Sequence, residues 1–268
     1  MLVVISIIAR LLAVLIPSLS KAREVAYRVI CGHHLKDFGT ANTAYSVTCP
    51  GFFLPVEYLD PNPKGATHKF SSSYDDIRWL HNRLFKSYLN YDSYPKDKKN
   101  APKPGSAQWN GYNGSYNMPK AILCPTDRIS TDWLNCLSNV LVSYGYNSTD
   151  FPINWSGGAP ENDYMGYKVS DVRQPSAKLI FIDTIDWWTG WSGADYRRGW
   201  DKRHQMNIGA YRGQGEARGK GWPDVYGPVI YRHSEGANCV FYDGHIKYMK
   251  KQEIYNPPRS FSMWSANQ

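Results

Sequence analysis

An α+β protein, with a long N-terminal helix packed on a largely antiparallel sheet in a loop-rich head, is what this sequence predicts. Three observations carry that reading. Residues 1–19 are almost wholly apolar and run straight into an amphipathic stretch that ends near residue 45. The 22 Gly and 17 Pro, beside 20 Tyr and 10 Trp, are too many for a helical bundle and fit a chain of strands and turns. Short apolar runs at 178–183 and 237–249 have strand length and are bounded by turn residues. The division that follows is an anchoring helix over 1–45 and a globular head over 46–268. A mean hydropathy of −0.51 excludes a polytopic membrane protein but leaves room for one apolar anchor.

The first segment reads MLVVISIIARLLAVLIPSL, with Arg10 its single charge and Pro17 near its end. At 1.5 Å per residue such a helix just crosses a hydrocarbon layer of ~30 Å. Leu2, Ile8, Leu12 and Leu15 are the expected lipid contacts, and membrane lipid is the expected partner of residues 1–20. Arg10 would cost ~2.5–3.5 kcal/mol at mid-bilayer, which its Leu, Ile and Val neighbours offset. A cleaved secretory signal is the rival. It calls for a basic stretch before the apolar run and a small-residue cleavage site after it, and neither is evident. Beyond Pro17, Lys21-Ala-Arg-Glu24 continues a helical pattern. Tyr27, Cys31, Leu35, Phe38 and Tyr45, with Asn42 between, fall along one stripe. One helix of ~45 residues, 65–70 Å long and with Pro17 as the place for a kink, is predicted.

These residues carry a resemblance. The run Val3-Val4-Ile5, Ile7-Ile8-Ala9, Pro17, Ser20-Lys21-Ala22-Arg23, Cys31, Leu35-Lys36 and Gly39 is similar to the N-terminal segment of type IV pilin-like and type II secretion pseudopilin-like proteins. More narrowly it resembles the family of Planctomycetes, Verrucomicrobia and Lentisphaerae with a prepilin-type N-terminus and a C-terminal His-x9-Asp-Gly signature. That family opens on a basic leader, a prepilin-peptidase site and a Glu just inside the mature chain. None of these stands before Leu2 here, and Arg10 replaces an apolar residue. A start codon assigned too late, a processed fragment or a degenerate copy would each account for this. Cleavage, methylation and polymerisation through that Glu therefore stay expectations of the resemblance alone.

Further along, residues 46–70 read as irregular and Pro/Gly-rich, Asp75–Tyr88 as a short helix, and 92–119 as a long surface loop. Ala121-Ile-Leu-Cys-Pro-Thr-Asp127 and Ser143-Tyr-Gly-Tyr-Asn147 match the family's Cys-Pro-Ser-Asp and Ser-Tyr-Gly-Tyr-Asn elements. Lys178-Leu-Ile-Phe-Ile-Asp183 reads as a central strand. The signature itself is His233, Asn238, Asp243 and Gly244. Physically it predicts two strands, Ala237–Tyr242 and His245–Met249, joined by Asp243-Gly244 in a type I′ turn. Pairing Tyr242 with His245 would put Cys239, Phe241, Ile246 and Tyr248 on the core face.

The chemistry has several readings. A formal charge of +8 could suit an anionic polymer, but the basic residues are scattered and form no stripe, so nucleic acid is not an expected partner. His204, His233 and His245 with Asp183, Asp201 and Asp243 could be drawn into a metal site, yet they lack the short ligand spacing such sites use. The preferred role of His233 is to reach across and pin the hairpin turn; no metal or cofactor is expected. Gly213-Gln-Gly215 and Gly219-Lys-Gly221 lack a phosphate-loop pattern, and no G-x-S-x-G elbow occurs. Trp187, Trp188, Trp191 and Trp200 could form a sugar-stacking surface or simply fill the core. The five cysteines contain no C-x-x-C pair. Cys31 and Cys124 occupy positions of the resembled family. Cys49 and Cys136 are extra to it, and an exported head would pair them first, leaving Cys239 as a buried thiol.

The resemblance implies a non-enzymatic, membrane-anchored envelope protein of pilin or pseudopilin type, its head in the periplasm or at the cell surface. Other pilin-like subunits or a secretion apparatus are the implied partners. A polysaccharide-binding surface module is the second reading and a metal-dependent hydrolase the third.

Overall fold

The computed structural model describes residues 2–49, 51–58, 79–90, 122–127, 142–150, 164–184, 188–198, 229–257 and 261–266. Helix α1 spans Leu2–Thr48, 47 residues that continue through Pro17, and is about 70 Å long. Every side chain from Val3 to Arg23 is exposed. From Cys31 onward the predicted stripe is buried: Cys31, Leu35, Phe38, Asn42 and Tyr45 face the head. Within the docked stretch Asn42 accepts the Leu54 N–H at 3.0 Å, which returns the chain against its own helix.

The head is built on a five-stranded sheet. Strands β1 (Glu57–Tyr58) and β3 (Tyr164–Met165) make a small separate pair. Strands β2 (Tyr144–Asn147), β4 (Leu179–Asp183), β5 (Trp188–Thr189), β6 (Gly236–Phe241) and β7 (Ile246–Lys250) run in the order β5-β2-β4-β6-β7. All neighbours are antiparallel except β5 and β2. The predicted central strand is thus central, and both its faces are covered. Phe38 of α1, with Trp79 and Phe85 beside it, covers one face against Phe181 and Val240. On the other face Leu179, Cys239 and Phe241 meet Ile254 and Trp264 of the short helices α3 (Lys251–Ile254) and α4 (Phe261–Trp264). The fold class is as predicted.

Two local expectations change. The helix predicted over Asp75–Tyr88 is, within the described residues, a 3-10 turn at Trp79–His81 and then α2 (Arg83–Tyr88). Asn82 interrupts them because its side chain accepts the Phe85 N–H at 3.1 Å, which makes it an N-cap.

The hairpin exists, but its register is one residue away from the predicted one. Val240 pairs with Ile246, Asn238 with Tyr248 and Ala237 with Met249. The Gly244 N–H bonds to Phe241 O at 2.8 Å, and only Gly244, at φ 82°, is left-handed; Asp243 is not. This is a three-residue loop with Gly at the left-handed position, not a type I′ turn. A shift of one residue moves a strand's side chains to the opposite face. Ile246 and Tyr248 therefore share the α1 side with Val240, Ile246 remains 40% exposed, and Met249 is the residue of β7 that reaches the core.

Candidate buried cysteine–histidine site

Where α1 first enters the head, three side chains from distant parts of the chain meet. Cys31 is the first residue of α1 that is fully buried. Cys124 is held at the head of a tight turn, with the Asp127 N–H on Cys124 O at 2.9 Å and its own N–H on Ser143 Oγ at 3.0 Å. His233 opens the turn into β6, with reciprocal backbone bonds to Gly236 at 2.9 and 3.3 Å. The two residues inside that turn, Ser234 and Glu235, have φ of 48° and 59°, so the left-handed pair expected at Asp243-Gly244 lies at the opposite end of β6. Such backbone costs of order 1–3 kcal/mol per residue. Tyr248, whose hydroxyl donates to His233 O at 2.8 Å, and Lys250, which donates to Ser234 O at 2.7 Å, hold it.

All three side chains are 0% exposed. Cys124 Sγ is 3.6 Å from His233 Nε2, and the two sulfurs and the imidazole lie within 4.8 Å of one another. Charged groups surround them. Ser143 Oγ donates to Asp127 Oδ2 at 2.8 Å, and Arg232 Nη1 meets the same oxygen at 2.7 Å. Arg232 also donates to Thr184 O. Asp183, at the end of β4, accepts the Asn238 N–H at 2.7 Å. Asp183 Oδ1 and His233 Nδ1 are buried with no hydrogen-bond partner among the described residues. Burial pushes the Asp183 carboxyl up to about 6, against the pull of His233 and Arg232. Burial also opposes ionisation of Cys124, but the Cys31 hydrogen bond, Arg232 and His233 outweigh it and hold this thiol below the usual range. Chemically the trio could ligate a soft divalent ion, or the two sulfurs could join.

The residues singled out from sequence are distributed differently. His233 does not reach the Asp243-Gly244 turn; it lies at the other end of β6, because the turn residues Ser234 and Glu235 direct it inward. At the true turn Asp243 Oδ1 accepts the His245 N–H at 3.0 Å and contacts its ring Nδ1 at 2.6 Å, both side chains being exposed. His233 and His245 are thus not brought together, and His204 and Asp201 lie outside the described residues. Asn238 donates from its side chain to Arg28 O at 3.2 Å, and Gly244 O accepts from Lys36 Nζ at 2.9 Å, so both signature residues meet α1. Trp188 is a buried strand residue, and Trp191 packs on Tyr255 and Phe261 at 4.9 and 5.4 Å. That places these two in packing; Trp187 and Trp200 lie outside the described residues. Cys49 is a half-buried free thiol, Cys239 a buried one, and Cys136 lies outside the described residues. Ile8, Leu12 and Leu15 are 51%, 48% and 60% exposed on α1, and Leu2 starts the helix. The Cys31–Cys124–His233 cluster was missed. Its available signal was that all three residues fall in the segments that carry the family resemblance.

The helix is long and apolar enough to cross a membrane. No family model, curated protein or solved structure matches the chain.

Proposed function

We propose that this chain is a non-enzymatic, membrane-anchored envelope protein of pilin-like or pseudopilin-like type, with its head outside the cytoplasm. The observation that carries the reading is the undivided helix α1. One half of it presents Val, Ile and Leu on all sides, exposed among the described residues, and the other half packs as one layer of the head. A water-soluble protein rarely leaves so large a contiguous apolar surface bare. A bilayer covers it, with Arg10 as its single interior charge. The sequence similarity to pilin-type N-termini adds the class of assembly, with like subunits or a secretion apparatus as partners. The burial of Trp188 and the packing of Trp191 weigh against the polysaccharide-binding alternative.

The test is expression of the full chain with a C-terminal alkaline phosphatase, which is active only outside the cytoplasm. The expected result is carbonate-resistant membrane association, release by detergent, and active phosphatase. Protein found in the carbonate-soluble fraction, or membrane protein with an inactive reporter, would overturn the reading.

A further inference from the structure

We propose that Cys31 and Cys124 form a disulfide that covalently closes the joint between α1 and the head. In the cell this bond rests on the head lying outside the cytoplasm, as proposed above; the pairing itself rests on the fold. Both are free thiols in this structure, and their sulfurs lie within 4.8 Å of one another, so closing the bond asks the two buried side chains to approach further. The other described cysteines do not compete. Cys49 follows the last residue of α1, 18 positions beyond Cys31 and about 27 Å away along the helix axis. Cys239 sits in the core on the far face of the sheet.

A metal is the rival occupant, and three features weigh against it. Among the described residues the cluster offers three ligands where a closed site uses four. All three side chains are fully buried, so among the described residues no solvent-exposed position adjoins them. The buried Arg232 guanidinium, close enough to stabilise a Cys124 thiolate, would repel a divalent ion in the same place. A disulfide needs neither a fourth ligand nor a counter-charge.

The chemistry balances with a small-molecule disulfide of the glutathione class as oxidant. Cys124 gives its proton to His233 Nε2, and its thiolate attacks the oxidant, breaking that S–S bond and releasing one small thiol. Cys31, deprotonated in turn, attacks the Cys124 sulfur of the mixed disulfide and expels the second. Two electrons and two protons pass from the protein to the oxidant, yielding two small thiols. Because both sulfurs are fully buried, the exchange takes place before α1 docks or when it lifts away. Once closed, the bond is shielded from reductant. The closed loop of about 90 residues shifts the folding equilibrium by on the order of a thousandfold in the chain-entropy account.

The full chain in mild detergent is reduced in urea, refolded in a buffer of oxidised and reduced glutathione, alkylated and mapped without reductant. A Cys31–Cys124 peptide is expected, together with a urea midpoint that falls on reduction. The double variant Cys49→Ala/Cys136→Ala should give the same peptide. Free Cys31 and Cys124 after oxidation, either one joined to another cysteine, a midpoint indifferent to reduction, or stoichiometric zinc that blocks oxidation would each overturn the pairing. Protein alkylated directly in cells separates the two claims. Thiols that are free in cells but pair in the tube would sink the extracytoplasmic placement and leave the pairing standing.

Discussion

Replacing Gly39 with Ala tests how closely α1 must approach the hairpin. A Cβ at Gly39 would sit 2.8 Å from Val240 Cγ1 and 3.2 Å from both Cα and O of Gly244. Val240 is fully buried in β6, and Gly244 is main chain tied to Lys36, so neither yields cheaply. Overpacking of this kind costs about 1–3 kcal/mol, while Ala in a helix interior gains up to about 1 kcal/mol over Gly. The net expectation is a loss of about 1–2 kcal/mol. Gly32 is the internal control, seven residues earlier on the same face. A Cβ there meets Asn238 Oδ1 and Ile246 Cδ1 at 3.5 Å, ordinary contact distances. Gly32→Ala should therefore stabilise by about 0.5–1 kcal/mol. At about 2–4 °C per kcal/mol the two variants should melt about 3–12 °C apart, on opposite sides of wild type. Tryptophan fluorescence of the full chain in mild detergent, followed on heating and in urea, reads both. A Gly39→Ala protein as stable as wild type would refute the close-approach reasoning, and a destabilised Gly32→Ala would refute the control.

Two further perturbations address the sheet. At Gly244 a side chain would meet nothing closer than Thr43 Oγ1 at 3.5 Å, so the cost of Gly244→Val is that of its φ of 82°, about 1–3 kcal/mol. Gly244→Asn, which tolerates this region, should lose less than half as much; equal losses in urea titrations would show that bulk matters instead. For Asp183 the folded carboxyl at about 6 stands above the usual unfolded value of about 3.9, so the proton is bound more tightly in the native state. Stability of the reduced protein should accordingly rise as pH falls from about 7 to 4, with His233, Arg232 and Cys124 as the charges that face this group. Asp183→Asn should remove that slope and stabilise at pH 7 by up to about 3 kcal/mol. Urea midpoints at pH 7 and 5 that move together in both proteins would contradict this.

The elements legible in the sequence were those governed by local periodicity. The buried stripe of α1, with Cys31, Leu35, Phe38 and Tyr45 on one side, follows from helical spacing and is found. The apolar run of β4 and the existence of the β6–β7 hairpin follow from strand length and turn composition. The hairpin register does not, because Tyr242-Asp243-Gly244 fits two loop types whose strands differ by one residue. The site was illegible for another reason. Cys31, Cys124 and His233 share no short spacing and meet only because the turn tied to Ser143 before β2 and the turn into β6 come together under α1. Local reasoning paired His233 with the nearest acidic turn. The break at Asn82 belongs to the same class, since an asparagine inside a helical pattern shows its capping role only once its partner is placed.

The continuity of α1 has a mechanical consequence. No linker separates the apolar half from the docked half, so a pull on the membrane end reaches the sheet along the helix axis and loads the interface in shear. Tilting of the apolar segment is likewise passed to the head as rotation, with α1 as the lever. Glu24, which accepts from Ser234 Oγ, and Arg28, whose carbonyl accepts from Asn238, meet that load first, and Cys31 is the first fully buried residue behind them. A covalent bond at this position would make the joint fail by chain extension and not by the helix sliding off the sheet.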